Sequence, residues 1–326
     1  MFSDLRATDV LAAAERIREH VRRTPLVRSA PLSAIAGGDV LLKLENEQIT
    51  GSFKLRGALN TLATLPRDVR TRGVVASSAG NHGLGVAYAA RLHNIAATIF
   101  VPRTAPQVKR DGITALGATI DTSQPHYDAA MDAATRFAAE RGATFINPCL
   151  GAPLLAGQGT VALEILAERP DLAALVVNVG GGGLLGGCAS LVRYIAPQVR
   201  IAGAQSENTA AMARSLAAGR LVEIENLPTL ADGLAGQIDE EALDIGRHSL
   251  DEIVTVTEHE IAHTIAWLWH THGARVEGAG AVSTAAVLLR KLSALPTPAA
   301  IIVSGGNIDA ARFDEVLKNG EEGGPA

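Results

Sequence analysis

Four consecutive glycines follow an apolar segment in the middle of the chain. Residues 176–179 are Val-Val-Asn-Val, and residues 180–186 are Gly-Gly-Gly-Gly-Leu-Leu-Gly. A strand that leads through such a loop into a helix brings backbone N–H groups together with no side chains between them. The positive end of the helix dipole adds to their attraction for an anion. The segment therefore predicts a phosphate-binding loop, with a purely structural tight turn as the alternative.

The same glycines also fit a dinucleotide fingerprint. Gly181, Gly183 and Gly186 have the G-x-G-x-x-G spacing, and Glu207 follows about 20 residues later, where a ribose-binding acid would stand. A nicotinamide-dependent dehydrogenase is therefore a competing interpretation of this loop.

Two further loops of small polar residues follow apolar runs, at 77–83 (Ser-Ser-Ala-Gly-Asn-His-Gly) and at 304–307 (Ser-Gly-Gly-Asn). N–H groups in the first loop could hold a carboxylate, because a helix is expected to begin there. The alternatives are that Ser77 or Ser78 only caps this helix and that His82 only donates to a backbone carbonyl. Ligands of open parallel sheets bind beyond the carboxyl ends of the strands, which is where all three loops are expected.

Residues 259–263 satisfy H-E-x-x-H, the zinc-protease pattern. On a helix these two histidines share one face with His270, and the apolar residues that centre on the opposite face are Ile261, Ile265 and Leu268. The longer metzincin pattern is absent, since Ala266 and Trp269 stand where its glycine and third histidine would be. The pattern thus predicts an ordinary amphipathic helix and no metal site.

Short β-rich runs alternate with alanine-rich helical stretches along the chain. The predicted strands are 40–44, 73–77, 97–101, 118–122, 175–179, 200–204 and 300–303. The clearest helices are 83–92, 127–141, 160–168 and 258–272. This alternation predicts an α/β protein with two lobes, each an open, mostly parallel, twisted sheet with helices on both faces. We expect residues 1–60 and 147–326 to form a large cofactor-binding domain and 61–146 a small mobile domain.

Composition narrows the function further. Of the 326 residues 47% are hydrophobic and 19% charged, which excludes intrinsic disorder. The net charge of −5, without a basic cluster, argues against nucleic acid or an anionic membrane as the main partner. No apolar run reaches the roughly 18 residues of a membrane span, and the first residues lack the order of a signal peptide. Two cysteines, Cys149 and Cys188, allow no disulfide framework, so we expect a soluble cytoplasmic protein.

Residues 43–58, Lys-Leu-Glu-Asn-Glu-Gln-Ile-Thr-Gly-Ser-Phe-Lys-Leu-Arg-Gly-Ala, resemble the lysine motif of the serine/threonine dehydratase (threonine ammonia-lyase-like) family. These are pyridoxal-phosphate enzymes of fold type II, the fold of tryptophan synthase β. The other family motifs follow in order, at 78–82, 157–160, 180–184, 229–233, 277–281 and 304–307. The resemblance extends from about residue 23 to residue 309, which is nearly the whole chain.

The resemblance implies a cofactor site around Lys54, whose amine forms the Schiff base with the aldehyde of pyridoxal 5'-phosphate. Phe53 is expected to pack beside the cofactor ring, Asn81 to hydrogen-bond its phenolic oxygen and Ser304 to face its pyridine nitrogen. The cofactor phosphate is expected to bind the backbone amides of Gly180, Gly181, Gly182, Gly183 and Leu184.

The implied reaction is β-elimination from a small-molecule amino acid. The substrate carboxylate is expected at the loop formed by Ser78, Gly80, Asn81 and His82. Lys54 would remove the α-proton, and loss of the 3-hydroxyl would give an enamine that hydrolyses to a 2-oxo acid and ammonia. A serine hydroxyl at the ring nitrogen cannot fix a positive charge there as a carboxylate would, which favours prompt loss of the leaving group.

By default the resemblance implies L-threonine and L-serine as substrates, in amino-acid catabolism. Hydroxyaspartate, phenylserine and an intermediate of hydroxyectoine breakdown are the alternatives with the same chemistry. A serine racemase, a nicotinamide-dependent dehydrogenase and a non-catalytic binding protein are alternatives of other classes. The family also implies a homo-oligomer, either a dimer or a tetramer.

Three departures from family patterns refine these expectations. Ala79 stands where related serine racemases carry a second acid/base serine. Gln205 and Ala211 stand where some relatives bind a divalent cation through carboxylates, so we predict no metal. The chain ends soon after the loop at 304–307, which leaves no room for the C-terminal regulatory domain of the biosynthetic threonine dehydratases.

Overall fold

Parallel strands need connections long enough to return the chain to the same edge of a sheet, and the helices of this chain provide them. The computed structural model describes residues 5–105, 107–225 and 227–321. Its strands are β1 (Leu26–Arg28), β2 (Val40–Leu44), β3 (Val74–Ser77), β4 (Ala97–Phe100), β5 (Thr119–Asp121), β6 (Thr144–Phe145), β7 (Ala174–Asn178), β8 (Arg200–Ser206), β9 (Glu252–Val256) and β10 (Ala299–Val303).

The helices connect and cover these strands. They are α1 (Ala7–Ile17), α2 (Ala30–Ala36), α3 (Lys54–Thr64), α4 (Arg67–Arg70), α5 (Asn81–His93), α6 (Gln107–Ala115), α7 (Tyr127–Arg141), α8 (Ala152–Glu168), α9 (Gly183–Ile195), α10 (Ala211–Ala218), α11 (Glu240–Ser249), α12 (Glu258–His272), α13 (Gly278–Leu288) and α14 (Ala310–Glu321). In the described part of the chain, no helix is long and apolar enough to cross a membrane.

The strands form two sheets, as predicted. The large sheet has the order β1-β2-β10-β7-β8-β9, with every pair parallel except β1 with β2. The small sheet has the order β5-β4-β3-β6 and is parallel throughout. The predicted α/β fold of two mostly parallel sheets is therefore confirmed, whereas the division into a large and a small mobile domain stays a prediction.

Apolar side chains fill the space on both faces of each sheet. On the large sheet, α1, α8 and α9 pack against one face and α12 and α13 against the other. The central strands β7 and β10 are buried along their whole length, as parallel strands covered on both faces should be. On the small sheet, α3 and α5 contribute to the core of one face and α7 to that of the other. Helix α3 also packs on α8, so it lies between the two sheets.

Helix α8 begins earlier than the sequence predicts, at residue 152 instead of 160. The prediction is wrong because the first half of α8 contains Gly157 and Gly159, which ordinarily weaken a helix. Here they allow close packing of backbones. A Cβ at Gly157 would lie 2.5 Å from a backbone oxygen of α3, and one at Gly159 would lie 2.5 Å from a backbone oxygen of α9.

Four charged side chains form a buried ion cluster where β2, α3 and α8 meet: Lys43, Glu45, Arg56 and Glu164. The guanidinium of Arg56 binds Glu45 through two hydrogen bonds (2.7 and 2.8 Å) and Glu164 through two more (2.7 and 3.0 Å). Lys43 Nζ lies 2.6 Å from Glu164 Oε2. Burial alone would raise the pKa of Glu45, but the charge and hydrogen bonds of Arg56 hold that pKa below its ordinary value. The cluster is neutral overall and links the three elements.

We expect Arg56→Met to lower the free energy of unfolding by about 3–5 kcal/mol, because it leaves a buried carboxylate without its partner. Arg23→Met is the matched control, since the Arg23 and Glu168 side chains of that ion pair are 60% and 37% exposed. The control should change the free energy by about 1 kcal/mol or less. Urea unfolding measures both. Equal losses in the two variants would contradict a structural role for the buried ion cluster.

Candidate active site

Three segments leave the large sheet at the carboxyl ends of neighbouring parallel strands. Strands β2 and β7 both lie parallel to β10, one on each side of it. The lysine-bearing segment after β2, the glycine loop after β7 and the loop 304–307 after β10 therefore begin close together. The fourth predicted segment, 78–82, follows β3 of the small sheet.

Lys54 is the first residue of α3, and its amine is held by a backbone carbonyl. Its Nζ donates to the carbonyl oxygen of Pro148 (2.7 Å) and lies 5.3 Å from the centroid of the Phe53 ring. The N–H of Phe53 donates to the carbonyl oxygen of Ser304 (3.1 Å). The lysine is thus tied through its neighbour to the loop after β10, and the packing of Phe53 beside a cofactor ring stays a prediction.

The glycine loop forms an open cradle of backbone N–H groups at the start of α9. Gly182, with φ of 84°, is the N-cap residue, and the helix begins at Gly183. The N–H groups of a first helical turn have no partner within the helix, so they can bind an anion. Leu184 is buried in the core, which leaves its backbone N–H as the group that can take part.

The segment 147–150 packs against this cradle, and the sequence analysis assigned it no role. The side-chain oxygen of Asn147 accepts the N–H groups of Cys149 and Leu150, both at 2.8 Å. A Cβ at Gly181 would lie 2.7 Å from the Cys149 sulfur, and one at Gly183 would lie 2.8 Å from its carbonyl oxygen. Glycine is therefore required at both positions for the loop to fit.

The loop before α5 offers backbone N–H groups, and no side chain caps the helix that follows. Gly80 is the N-cap residue, and its N–H donates to Ser78 Oγ (3.1 Å). The Ser77 hydroxyl is buried without a hydrogen-bond partner among the described residues. Neither serine caps the helix, so that alternative is wrong. The N–H groups of Asn81 and His82 lie in the first turn, where a carboxylate can bind.

The ring of His82 is buried and neutral. Its Nε2 lies 2.9 Å from the carbonyl oxygen of Ile146, and because a carbonyl only accepts, Nε2 carries the proton. Burial, and to a lesser extent the nearby charge of Lys54, lowers the pKa of His82 to about 3. The ring is thus bound to a backbone carbonyl, and its backbone N–H is the group available to a substrate.

Ser304 follows β10 directly and is buried. Its Oγ donates to the carbonyl oxygen of Ala279 at 3.4 Å, which is a long and weak hydrogen bond. The hydroxyl can therefore turn to a better acceptor, such as a ring nitrogen. A β-bridge between Ser52 and Gly305 holds this loop beside the segment that leads to Lys54.

Glu277, the N-cap residue of α13, is an acidic side chain in the site to which sequence analysis assigned no role. It is only 7% exposed, and its Oε1 accepts a hydrogen bond from Asn81 Nδ2 at 2.5 Å. Burial raises the pKa of Glu277 to about 7, against the effect of the Asn81 hydrogen bond. Two signals were available: the family motif at 277–281, and a single acid within the otherwise small and apolar stretch 276–282.

The other predicted or excluded sites are also located. Gln205 is buried, and its side-chain oxygen accepts the N–H of Ala213 (2.8 Å). In α12 the residues Ile261, Ile265 and Leu268 are buried, so the amphipathic interpretation of H-E-x-x-H is confirmed. Among the residues that the structure describes, no group of three or more His, Cys, Asp or Glu side chains could hold a metal ion.

The groups at this edge fit pyridoxal phosphate. An anion cradle from which side chains are excluded suits its phosphate, and a lysine amine suits its aldehyde. A side-chain amide and a weakly bound hydroxyl are available for the polar atoms of its ring. A nicotinamide dinucleotide would leave the amine of Lys54 without a role.

We expect the stability of Glu277→Gln to depend on pH differently from that of the unchanged protein. The pKa of Glu277 is about 7 in the folded chain and 4.5 as its ordinary value, so the folded chain binds this proton more tightly. The resulting stability is fully present below about pH 4.5 and is lost as the pH rises through about 7. Glutamine cannot ionise, so the variant should gain on the order of 1–3 kcal/mol relative to the unchanged protein over this interval.

Urea unfolding at a series of pH values measures this difference. Glu15→Gln is the matched control, because that side chain is 70% exposed. The control should show no such trend, and parallel pH dependences for Glu277→Gln and the unchanged protein would contradict a buried carboxyl of raised pKa.

Sequence comparison shows the family of this chain. The family model described as pyridoxal-phosphate dependent enzyme matches residues 17–305. The L-threonine ammonia-lyase of Thermotoga maritima is 43% identical over 313 residues, which cover 96% of this chain and 78% of that protein. The catabolic L-threonine dehydratase of Staphylococcus aureus is 39% identical over 317 residues, covering 96% of this chain and 92% of that protein.

Solved structures give the same result. Maize serine racemase superposes with a TM-score of 0.91 at 32% identity, covering 98% of both chains. Processed threonine deaminase isoform 2 of Solanum lycopersicum superposes with a TM-score of 0.90 at 32% identity, covering 97% of this chain and 88% of that one. The predicted fold and cofactor are confirmed, and the dinucleotide interpretation of the glycine loop is set aside. The chain belongs to the family of pyridoxal-phosphate-dependent enzymes, as its resemblance to the serine/threonine dehydratases predicted.

Proposed function

We propose that this enzyme is an ammonia-lyase that converts L-threonine and L-serine to a 2-oxo acid and ammonia. The observation that carries the proposal is the amine of Lys54, which stands at the sheet edge where the glycine cradle and the Ser304 loop begin. The names of relatives at 43% and 39% identity support L-threonine as a substrate. Hydroxyaspartate, phenylserine and a hydroxyectoine-breakdown intermediate are the alternatives within the same chemistry.

The chain's own residues hold the cofactor in this proposal. The N–H groups of residues 180–184 would bind the phosphate, since they lead into a helix whose dipole favours an anion. Asn81 would donate to the phenolic oxygen, Ser304 would face the pyridine nitrogen and Phe53 would pack beside the ring. When bound, pyridoxal phosphate supplies the electron sink for the charge that develops at the α-carbon.

Lys54 acts as the base in this proposal. Its Nζ, in the neutral amine form, would take the proton from the substrate α-carbon, and the Pro148 carbonyl oxygen would orient that amine. The substrate carboxylate binds at the loop of Ser78, Gly80, Asn81 and His82. The Ser78 hydroxyl, which accepts the N–H of Gly80, donates to it together with the N–H groups of Asn81 and His82. A hydroxyl at Ser304, unlike a carboxylate, leaves the ring nitrogen without a fixed positive charge, which favours rapid departure of the 3-hydroxyl.

The small sheet with its own cores supports the proposal that residues 61–146 are a small domain beside a large one formed by 1–60 and 147–326. The homo-oligomer and the cytoplasmic location stay predictions.

The test of the proposed function is a panel of 3-hydroxy amino acids, with release of 2-oxo acid and ammonia as the two readouts. L-threonine and L-serine should give both products in equal amounts. Faster turnover of hydroxyaspartate or phenylserine would support the proposed reaction but assign it to a different substrate. No 2-oxo acid from any member of the panel would contradict the proposal.

We expect the purified protein to be yellow, with a visible absorption band that borohydride bleaches. Lys54→Ala should lose the bleachable band and lower turnover to the background rate, because it removes the amine and the base together. Lys291→Ala is the matched control, since that lysine pairs with Glu260 on α12 and should keep both properties. A colourless protein that binds a nicotinamide dinucleotide would contradict the assignment of pyridoxal phosphate as the cofactor.

A second activity, serine racemisation, is suggested by the likeness to maize serine racemase. Racemisation needs an acid/base group on each face of the α-carbon, and Ala79 has none to offer. We expect pyruvate formation from L-serine to exceed D-serine formation by at least about tenfold, and Ala79→Ser to narrow that ratio. Chiral chromatography together with a pyruvate assay measures it. Comparable rates in the unchanged enzyme would mean that another side chain supplies the second proton.

A further inference from the structure

The side-chain amide of Asn81 is held at both ends. Its Nδ2 donates to Glu277 Oε1 (2.5 Å), and its Oδ1 accepts from Asn307 Nδ2 (2.6 Å). Asn81 opens α5 beside the small sheet, whereas Glu277 caps α13 and Asn307 follows β10 of the large sheet. Two side chains attached to one sheet thus hold an amide that belongs to the other.

This chain of hydrogen bonds has one allowed direction. Asn307 Nδ2 also donates to the backbone carbonyl oxygen of Thr50 (2.8 Å), which can only accept. Asn307 therefore presents its nitrogen, as a donor, to Asn81. The amide of Asn81 must turn its oxygen to Asn307 and its nitrogen to Glu277, whose carboxyl oxygen accepts the hydrogen bond. One N–H of Asn81 then remains for another acceptor.

The amide of Asn81 and its partner Glu277 lie in a closely packed part of the site. Glu277 is 7% exposed, and a Cβ at Gly305 would lie 2.1 Å from its Oε1 and 3.1 Å from Asn81 Nδ2. The charged groups that face Glu277 are Lys54 at the start of α3, Lys109 on α6 and Asp232. Lys109 and Asp232 lie 3.5 Å apart, so their charges largely oppose each other.

We propose that Glu277 and Asn307 are positioning residues, which fix the amide of Asn81 so that its remaining N–H is presented to the phenolic oxygen of pyridoxal phosphate. This inference rests on the proposed function through the assignment of Asn81 to the cofactor ring. It assigns the two residues a role in cofactor binding that each exerts through a third side chain. Reversing or releasing the amide would present a carbonyl oxygen to the phenolic oxygen, which is repulsive where the N–H is attractive.

The test measures the dissociation constant of pyridoxal phosphate from the full-length enzyme, together with its visible absorption spectrum. Asn307→Asp replaces a donor by an acceptor and opposes the Asn81 oxygen. We expect it to weaken cofactor binding by roughly tenfold or more and to shift the absorption band. Asn46→Asp is the matched control. It makes the same change of charge nearby, but Asn46 donates to the backbone carbonyl oxygen of Arg275 and not to Asn81. Cofactor affinity and the absorption band should therefore stay unchanged.

A double-variant comparison separates positioning from a general loss of structure. In an Asn81→Ala background, Asn307→Asp should cost no further affinity, because its effect passes through the missing amide. The same loss in both backgrounds would overturn the inference while leaving the proposed function intact. An unchanged protein that binds no pyridoxal phosphate would overturn the proposed function and the inference with it.

Asn307→Ala serves if the aspartate variant does not fold. It removes the donor to Asn81 without adding a charge, so we expect a smaller loss of affinity, of a few-fold, that also disappears in the Asn81→Ala background. Full affinity and an unshifted band in Asn307→Ala would overturn the inference.

Discussion

The ion pairs of the Arg56 guanidinium are the interactions on which the position of Lys54 depends. Arg56 lies two residues after Lys54, entirely out of water, and binds the carboxylates of Glu45 and Glu164 through paired hydrogen bonds. Buried charges are tolerable only when they are paired, and paired hydrogen bonds also fix orientation. Helix α3 therefore cannot rotate or slide on β2 and α8 without leaving a charge unpaired. Apolar packing would resist separation, but it has no such directionality.

The opposite side of α3 is held by α5, which packs on the small sheet. A Cβ at Gly85 of α5 would lie 3.3 Å from the backbone of Lys54, so the two helices approach closely where the lysine stands. The start of α3 thus lies between an ionic anchor on the large sheet and a close backbone contact with α5. The side chains around it come from both sheets, as the contact of Asn81 with Glu277 shows. The distances between the side chains of the site therefore depend on how the elements of the two sheets pack against each other.

Local sequence patterns predicted the strands and helices better than they predicted the contacts between side chains. Strand β2 and helices α7 and α12 lie where the sequence predicted them to begin and end, because clear apolar patterns and, for α12, a capping box mark them. Four successive glycines likewise predicted the cradle, since few structures require them. The contact between Asn81 and Glu277 spans 196 residues, so no local pattern carries it. The motif resemblance located both residues but said nothing of the bond between them. The start of α8 was missed because glycine serves there in packing, which propensity does not record.

The burial of His82 has a consequence for enzyme kinetics. An inflection near neutrality in a plot of rate against pH is by habit assigned to a histidine, because the ordinary pKa of imidazole lies there. In this site the pKa of His82 is lowered to about 3 by burial, while burial raises that of the Glu277 carboxyl to about 7. The imidazole of His82 is a neutral donor to a backbone carbonyl near pH 7, so that assignment does not apply to it. Glu277 is the group of this site whose pKa lies near 7.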